Sequence, residues 1–287
     1  MYARFVPALA LVCAASAQTP AFEVASVKLS EPITPAMVQS GRLNIGVTID
    51  ATHVRISKLS LSDLVRLAYQ IKNYQYVGPS WMNDQRYDIQ AALPEGGKRG
   101  QVPAMLQTLL AERFKLVFHR ESRDLAVYAL VAAKDGHRLK PAAVQDAPLA
   151  SPQLRGGATI VGNATVRSGP GGDSRVTPQP GGNLHVETAR MNMTAFADVL
   201  NGYTERPVLN MTGIEGAFYM EFDVSAEEVR NARRALGAPI PPGETAADPA
   251  GVSLFSSLQK LGLKLEPRNA PVEVIVVDKA EKLPTEN

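Results

Sequence analysis

The sequence predicts an α+β protein: a tandem repeat of two small sheet-plus-two-helix domains joined by a Gly/Pro-rich linker. Three observations carry this. Apolar residues recur at helical spacing twice, as Leu59, Leu61, Leu64, Leu67 and as Met191, Met193, Phe196, Val199, with each matched pair 132 residues apart. Each stretch leads to an alternating strand pattern, Tyr87-Asp88-Ile89-Gln90-Ala91 in one and Phe218-Tyr219-Met220-Glu221-Phe222 in the other. Residues 141–183 between them are dense in Gly, Pro, Ala and Ser and poor in aliphatic side chains, the composition of a linker or long loop. A constant offset across a whole helix marks an internal repeat.

The elements follow in order. Met-Tyr-Ala-Arg, an apolar run from Phe5 to Ala15 and the small residues Ala15-Ser16-Ala17 read as a secretory signal peptide over residues 1–17, cleaved near Ala17/Gln18. A periplasmic or secreted protein is the consequence. The lone cysteine, Cys13, falls inside that run, so the mature chain is expected to lack thiol catalysis, thiolate metal sites and disulfides. The first repeat takes residues 18–140. Its first helix follows Ser60 or Ser62, whose hydroxyls can cap it; Leu106, Leu109 and Leu110 mark a second helix, and Leu125 to Ala132 a closing strand. After the linker at 141–183 the second repeat, 184–287, repeats the order. Asn192 or Thr194 caps its first helix; Leu254, Phe255, Leu258 and Leu261 mark its last helix; Val272 to Val277 closes it. Prolines at 239, 241, 242 and 249 break the chain over 237–251.

Charge excludes some partners. With 30 Lys+Arg against 28 Asp+Glu the net charge is +2, too small a field to attract nucleic acid, and no apolar run approaches the ~20 residues of a membrane span.

No constellation meets the demands of catalysis or metal binding, and no cofactor is expected. His53, His119, His137 and His185 lack metal-ligand spacing. Ser257 and Lys260 have the Ser-x-x-Lys spacing of serine acylases without the companion motifs, and they fall on the solvated face of their helix. His119-Arg120-Glu121-Ser122-Arg123-Asp124 reads as a charged hairpin turn between strands. Glu227-Glu228 and Asp84 with Asp88 lack the apolar pocket that would raise a carboxyl pKa. The Gly-Pro-Gly-Gly stretch at 169–172 lacks the Lys-Ser/Thr of a phosphate loop. Aromatic residues offer more: Tyr69 sits on a helix stripe and belongs to the core, while Tyr74, Tyr76 and Trp81 flank the Gly78-Pro79 turn and are the candidate binding residues.

Phe22-Glu23-Val24-Ala25-Ser26-Val27-Lys28, Gly78-Pro79-Ser80-Trp81-Met82 ahead of Arg86-Tyr87-Asp88-Ile89, Asn192-Met193-Thr194, and Pro271-Val272-Glu273-Val274-Ile275-Val276-Val277-Asp278 together resemble one family. It is the secreted, soil-associated bacterial family that carries a domain of unknown function, and the resemblance runs from Phe22 to Asn287. More distantly, each repeat is similar to the short N-terminal domain of secretins and TonB-dependent receptors, with Leu261-Gly262-Leu263 matching its Leu-Gly-Leu turn and Glu112-Arg113-Phe114 at the corresponding place without the glycine. Such domains dock partners. The resemblance therefore implies a non-catalytic extracytoplasmic binding or docking module whose partner is another envelope protein. The alternative is a secreted hydrolase with a site between the repeats, using carboxylates such as Asp88 or Glu221.

Overall fold

The computed structural model describes residues 19–32, 34, 45–142, 158–161, 164–169, 172–235 and 253–285. The expected signal peptide, Cys13 and the break at 237–251 lie outside them. The architecture is mixed helix and sheet, an α+β fold, in two compact units: Met1–Ser122 with Glu273–Asn287, and Arg123–Val272.

In unit one, β1 (Val24–Leu29), β2 (Gly46–Ile49), β3 (His53–Ser60) and β5 (Arg86–Ala92) form an antiparallel sheet in the order β1-β5-β3-β2. Between β3 and β5 the chain makes α1 (Leu61–Tyr69), the two-residue strand β4 (Tyr76–Val77) and the short helix α2 (Trp81–Asp84); α3 (Val102–Arg113) follows β5. Ser60 is the N-cap of α1: its hydroxyl accepts from the Asp63 N–H at 3.1 Å, and the Asp63 carboxylate accepts from the Ser60 N–H at 2.9 Å, a reciprocal capping box. Leu61, Leu64, Val65 and Ala68 of α1 are buried, as are Leu106, Leu109 and Leu110 of α3 and Tyr87, Ile89 and Ala91 of β5. A fully buried Leu contributes about 1.5–3 kcal/mol of transfer free energy, so this apolar core dominates the unit's stability.

Unit two contains β7 (Lys140–Pro141), β8 (Ala158–Val161), β9 (Ala164–Gly169), β10 (Gly172–Pro178), β11 (Leu184–Met191) and β13 (Phe218–Val224) in one sheet, in the order β7-β13-β11-β10-β9-β8. Three of these strands fall inside the expected linker at 141–183, so that segment is not a plain linker. Arg175-Val176-Thr177 carries β-branched residues that suit a strand, and Gly172 of β10 pairs with Gly169 of β9. Helices α4 (Met193–Leu200), α5 (Ala226–Ala235) and α6 (Leu254–Lys260) and the short strand β12 (Val208–Asn210) complete the element order. Met193, Phe196, Leu200, Leu254 and Leu258 pack with Met220, Phe222 and Val224 of the sheet in a second core.

The two longest strands, β6 (Val117–Ala132) and β14 (Leu263–Lys279), are neighbours in the third sheet, β12-β6-β14-β4, and each contributes to both units. β6 follows α3, yet its Tyr128–Leu130 stretch lies in unit two and pairs in parallel with Val208–Asn210. β14 follows α6, yet Ile275 and Val276 lie in unit one, pair in parallel with Tyr76 and Val77, and Ile275 is buried in that unit's core. Each unit is thus completed by the last strand of the other half of the sequence. This exchange places the divisions at 122/123 and 272/273, where the sequence suggested 140/141 and 183/184. It also corrects the reading of His119–Asp124, which is no hairpin turn: β6 runs unbroken through it, its charged side chains being compatible with an exposed stretch of strand.

Irregularities in the ladders stand just before two of the helices. The β3–β5 ladder slips between Ile56 and Leu59 around Lys58, at φ 55°, and the β11–β13 ladder slips between Thr188 and Met191 around Arg190, at φ 49°. Non-glycine residues rarely adopt positive φ, and in a strand it marks a bulge that redirects the chain. Two residues later stand the helix N-caps, Ser60 and Asn192. The helix-to-strand turn before β6 has Lys115 at φ 50°, and the one before β14 has Gly262 at φ 71°.

Candidate functional site

Tyr74, Tyr76 and Trp81 all lie in unit one, on the stretch that leaves α1 and reaches β5. α1 ends on Gln70 in the left-handed conformation, φ 53°, and a turn at Asn73–Gln75 carries half-buried Tyr74. The Gln75 side-chain amide donates to the Glu273 carbonyl at 3.1 Å, tying this turn to β14. β4 then runs beside Ile275 and Val276 as the outer strand of its sheet.

Gly78 ends the strand for a steric reason. A Cβ there would stand 2.3 Å from the Tyr76 hydroxyl oxygen and 2.7 Å from the ring carbon bearing it. The absence of a side chain lets the Tyr76 ring fold back under the turn, where its hydroxyl donates to the sulfur of buried Met82 at 3.2 Å. Burial pushes the Tyr76 phenol up to about 12, the Arg66 charge opposing it only in part, so the phenol stays neutral at physiological pH.

Each ring faces a cation. The Arg66 guanidinium carbon is 5.8 Å from the Tyr76 ring centre, and the Lys282 ammonium nitrogen is 5.4 Å from the centre of half-buried Trp81. Arg66 is held from behind by Asp63. Burial alone would raise the Asp63 carboxyl, but hydrogen bonds from the Ser60 hydroxyl and N–H, together with Arg66, outweigh it and hold it below the usual range. The site is thus an edge strand flanked by aromatic rings whose faces already stack against cations, an arrangement suited to binding. No sequence signal pointed to Arg66 or Lys282; the latter is some two hundred residues away along the chain and arrives only with the fold.

Other residues weighed for chemistry are engaged in holding the structure. Ser257 is buried, not solvated, and its hydroxyl accepts from the Asp223 N–H at 3.2 Å; only Lys260 of that pair is exposed. Ser257 faces inward because Ser253 caps α6 and so fixes the phase of this short helix. Glu228 accepts from the Ser225 N–H at 2.9 Å and from the Leu254 N–H at 2.9 Å, joining the start of α5 to that of α6. Asp88 accepts from the Lys58 N–H at 2.8 Å and so fixes the bulge. His185 pairs with Asp223 across β11 and β13 at 2.7 Å, His119 with Asp278 at 2.9 Å, and Glu221 is exposed. Among the described residues no group of three or more His, Cys, Asp or Glu side chains could hold a metal ion, and no helix is long and apolar enough to cross a membrane.

One family model, described as a protein of unknown function (DUF3738), matches residues 62–280. The chain belongs to the DUF3738 family. The DUF3738 match is a single span that takes in both halves of the sequence, from the first turn of α1 to the end of β14, and includes Tyr74, Tyr76 and Trp81. It stops two residues short of Lys282. Comparison with curated proteins and with solved structures gives no match.

Proposed function

We propose that this DUF3738 protein is a non-catalytic docking module, made by duplication of one α+β repeat, that engages another protein of the cell envelope through the aromatic edge of unit one. The observation that carries this is the β4 edge itself: Tyr76 and Trp81 stack against Arg66 and Lys282, and Gly78 is kept bare to make room. Aromatic side chains anchored by packing lose little conformational entropy on binding, and an outer strand offers main-chain groups to an extended segment. The duplication is supported by matched bulges at Lys58 and Arg190, caps at Ser60 and Asn192, and left-handed turns at Lys115 and Gly262. Action outside the cytoplasm rests on the signal-like residues 1–17. A kinship with the short N-terminal domains of secretins fits the docking role.

Site-specific photocrosslinking in cells that produce the full precursor tests the proposal. A photoreactive residue at position 74 is expected to give one discrete adduct that Trp81→Ala abolishes and Trp81→Phe retains. The same probe at exposed Glu95 should give none. Equal labelling from 74 and 95, or an adduct indifferent to Trp81→Ala in a folded variant, refutes it.

A further inference from the structure

The last described residues of the chain, 281–285, are held on unit one by hydrogen bonds, one of them from the hydroxyl of buried Tyr87. Their contacts are chiefly main-chain. The Glu281 N–H donates to the Phe114 carbonyl at 2.8 Å and the Thr285 N–H to the Arg113 carbonyl at 2.8 Å; the Tyr87 hydroxyl donates to the Lys282 carbonyl at 2.7 Å and the Arg113 guanidinium to the Thr285 carbonyl at 2.7 Å. Lys282 and Leu283 are exposed, Leu283 at 64%, so the tail buries little apolar surface of its own. What it does supply is N–H donors to carbonyls at the C-terminal end of α3, which lack partners inside the helix, and a cation over the Trp81 face. Ordering five residues opposes a hydrogen-bond gain of the same order, so a segment held this way is readily displaced.

We infer that this surface, formed by the carbonyls of Arg113 and Phe114, the Tyr87 hydroxyl and the Trp81 ring, is a binding site for a bent, lysine-bearing peptide segment of a partner protein, and that the chain's own residues 281–285, which bend at Lys282 and Leu283, occupy it in cis. The inference rests on the docking role proposed above and names the partner chemistry and its internal competitor. Because four of the contacts address the main chain, the surface selects this bent backbone conformation first and sequence second. The lysine facing Trp81 supplies the side-chain preference.

Trp81 is the only tryptophan, so its emission reports the site directly. A chain ending at Ala280 is expected to show red-shifted Trp81 emission and stronger acrylamide quenching. A synthetic peptide of residues 280–287 should reverse both saturably, and the same peptide with alanine in place of its lysine should bind about two- to five-fold more weakly. Full-length protein should bind the labelled peptide more weakly than the truncated chain. A folded truncated chain with unchanged Trp81 emission, or one with no saturable reversal by peptide, overturns the inference. If the truncated chain does not fold, full-length Lys282→Ala/Thr285→Ala decides: increased quenching of Trp81 and tighter peptide binding support it, and unchanged values overturn it. A position-74 adduct that persists alongside a negative peptide result would leave the docking role standing and remove only the tail as competitor.

Discussion

Replacing Gly78 by alanine probes how the aromatic edge is built. The added methyl carbon would lie 2.3 Å from the Tyr76 hydroxyl oxygen and 2.7 Å from its ring carbon, roughly 1 Å inside normal contact distance. Tyr76 must therefore swing away, losing its hydrogen bond to Met82 and its stacking under Arg66. Overpacking of this kind costs about 1–3 kcal/mol, and the lost hydrogen bond falls within that range. With about 2 kcal/mol removed, the thermal midpoint should fall by about 4–8 °C, read by circular dichroism. The decisive comparison is a double-mutant cycle. In a Tyr76→Ala background the methyl group meets no ring, so Gly78→Ala should cost less than about 0.5 kcal/mol there. A penalty equal in both backgrounds would refute the reasoning that Gly78 is bare for the sake of Tyr76.

Two further predictions concern the scaffold. Gly262→Ala should destabilise by about 2–4 kcal/mol, since its Cβ would meet the Gly136 carbonyl oxygen at 2.4 Å and the residue sits at φ 71°, whereas Lys115→Gly, at φ 50° in the turn before β6, should be neutral or stabilise by up to about 1 kcal/mol; urea unfolding reads both. Asp63→Asn should cost about 1 kcal/mol at neutral pH through the lost cap. Because the folded carboxyl titrates below its ordinary value of 3.8, its contribution is full above that pH and fades as pH falls through the folded value, so the gap between wild type and variant should narrow in acid; a gap that does not shrink at all below pH 3.8 contradicts the assignment.

Much of the fold is legible in the sequence because it follows apolar periodicity. Leu61 and Leu64 are buried on α1, Met193 and Phe196 on α4, and Tyr87, Ile89 and Ala91 alternate inward along β5, as their spacing demands. Three features escape for physical reasons. Left-handed Lys58, Arg190 and Lys115 are not glycines, so nothing in their identity announces a bulge or turn. The charged stretch His119–Asp124 lies within a strand whose partner arrives from the far end of the chain, and local composition is silent about such pairing. Ser257 looked solvated only because the phase of a seven-residue helix cannot be set without its cap. For the candidate site, Tyr74, Tyr76 and Trp81 could be named from the sequence, but their surroundings could not. Arg66, Lys282 and the Ile275–Val276 strand that supports β4 are brought there by the fold alone.

That support leads to the most direct test. If the repeats complete each other by exchanging their closing strands, β4 and its aromatic residues depend on residues from the opposite half of the sequence. Residues 18–142 and 158–287 should then be produced as two separate chains, mixed, and followed by size-exclusion chromatography and Trp81 emission. The exchange predicts a one-to-one complex, with Trp81 becoming shielded only when both fragments are present. Two fragments that fold independently as monomers, with Trp81 equally shielded in the first alone, would contradict it.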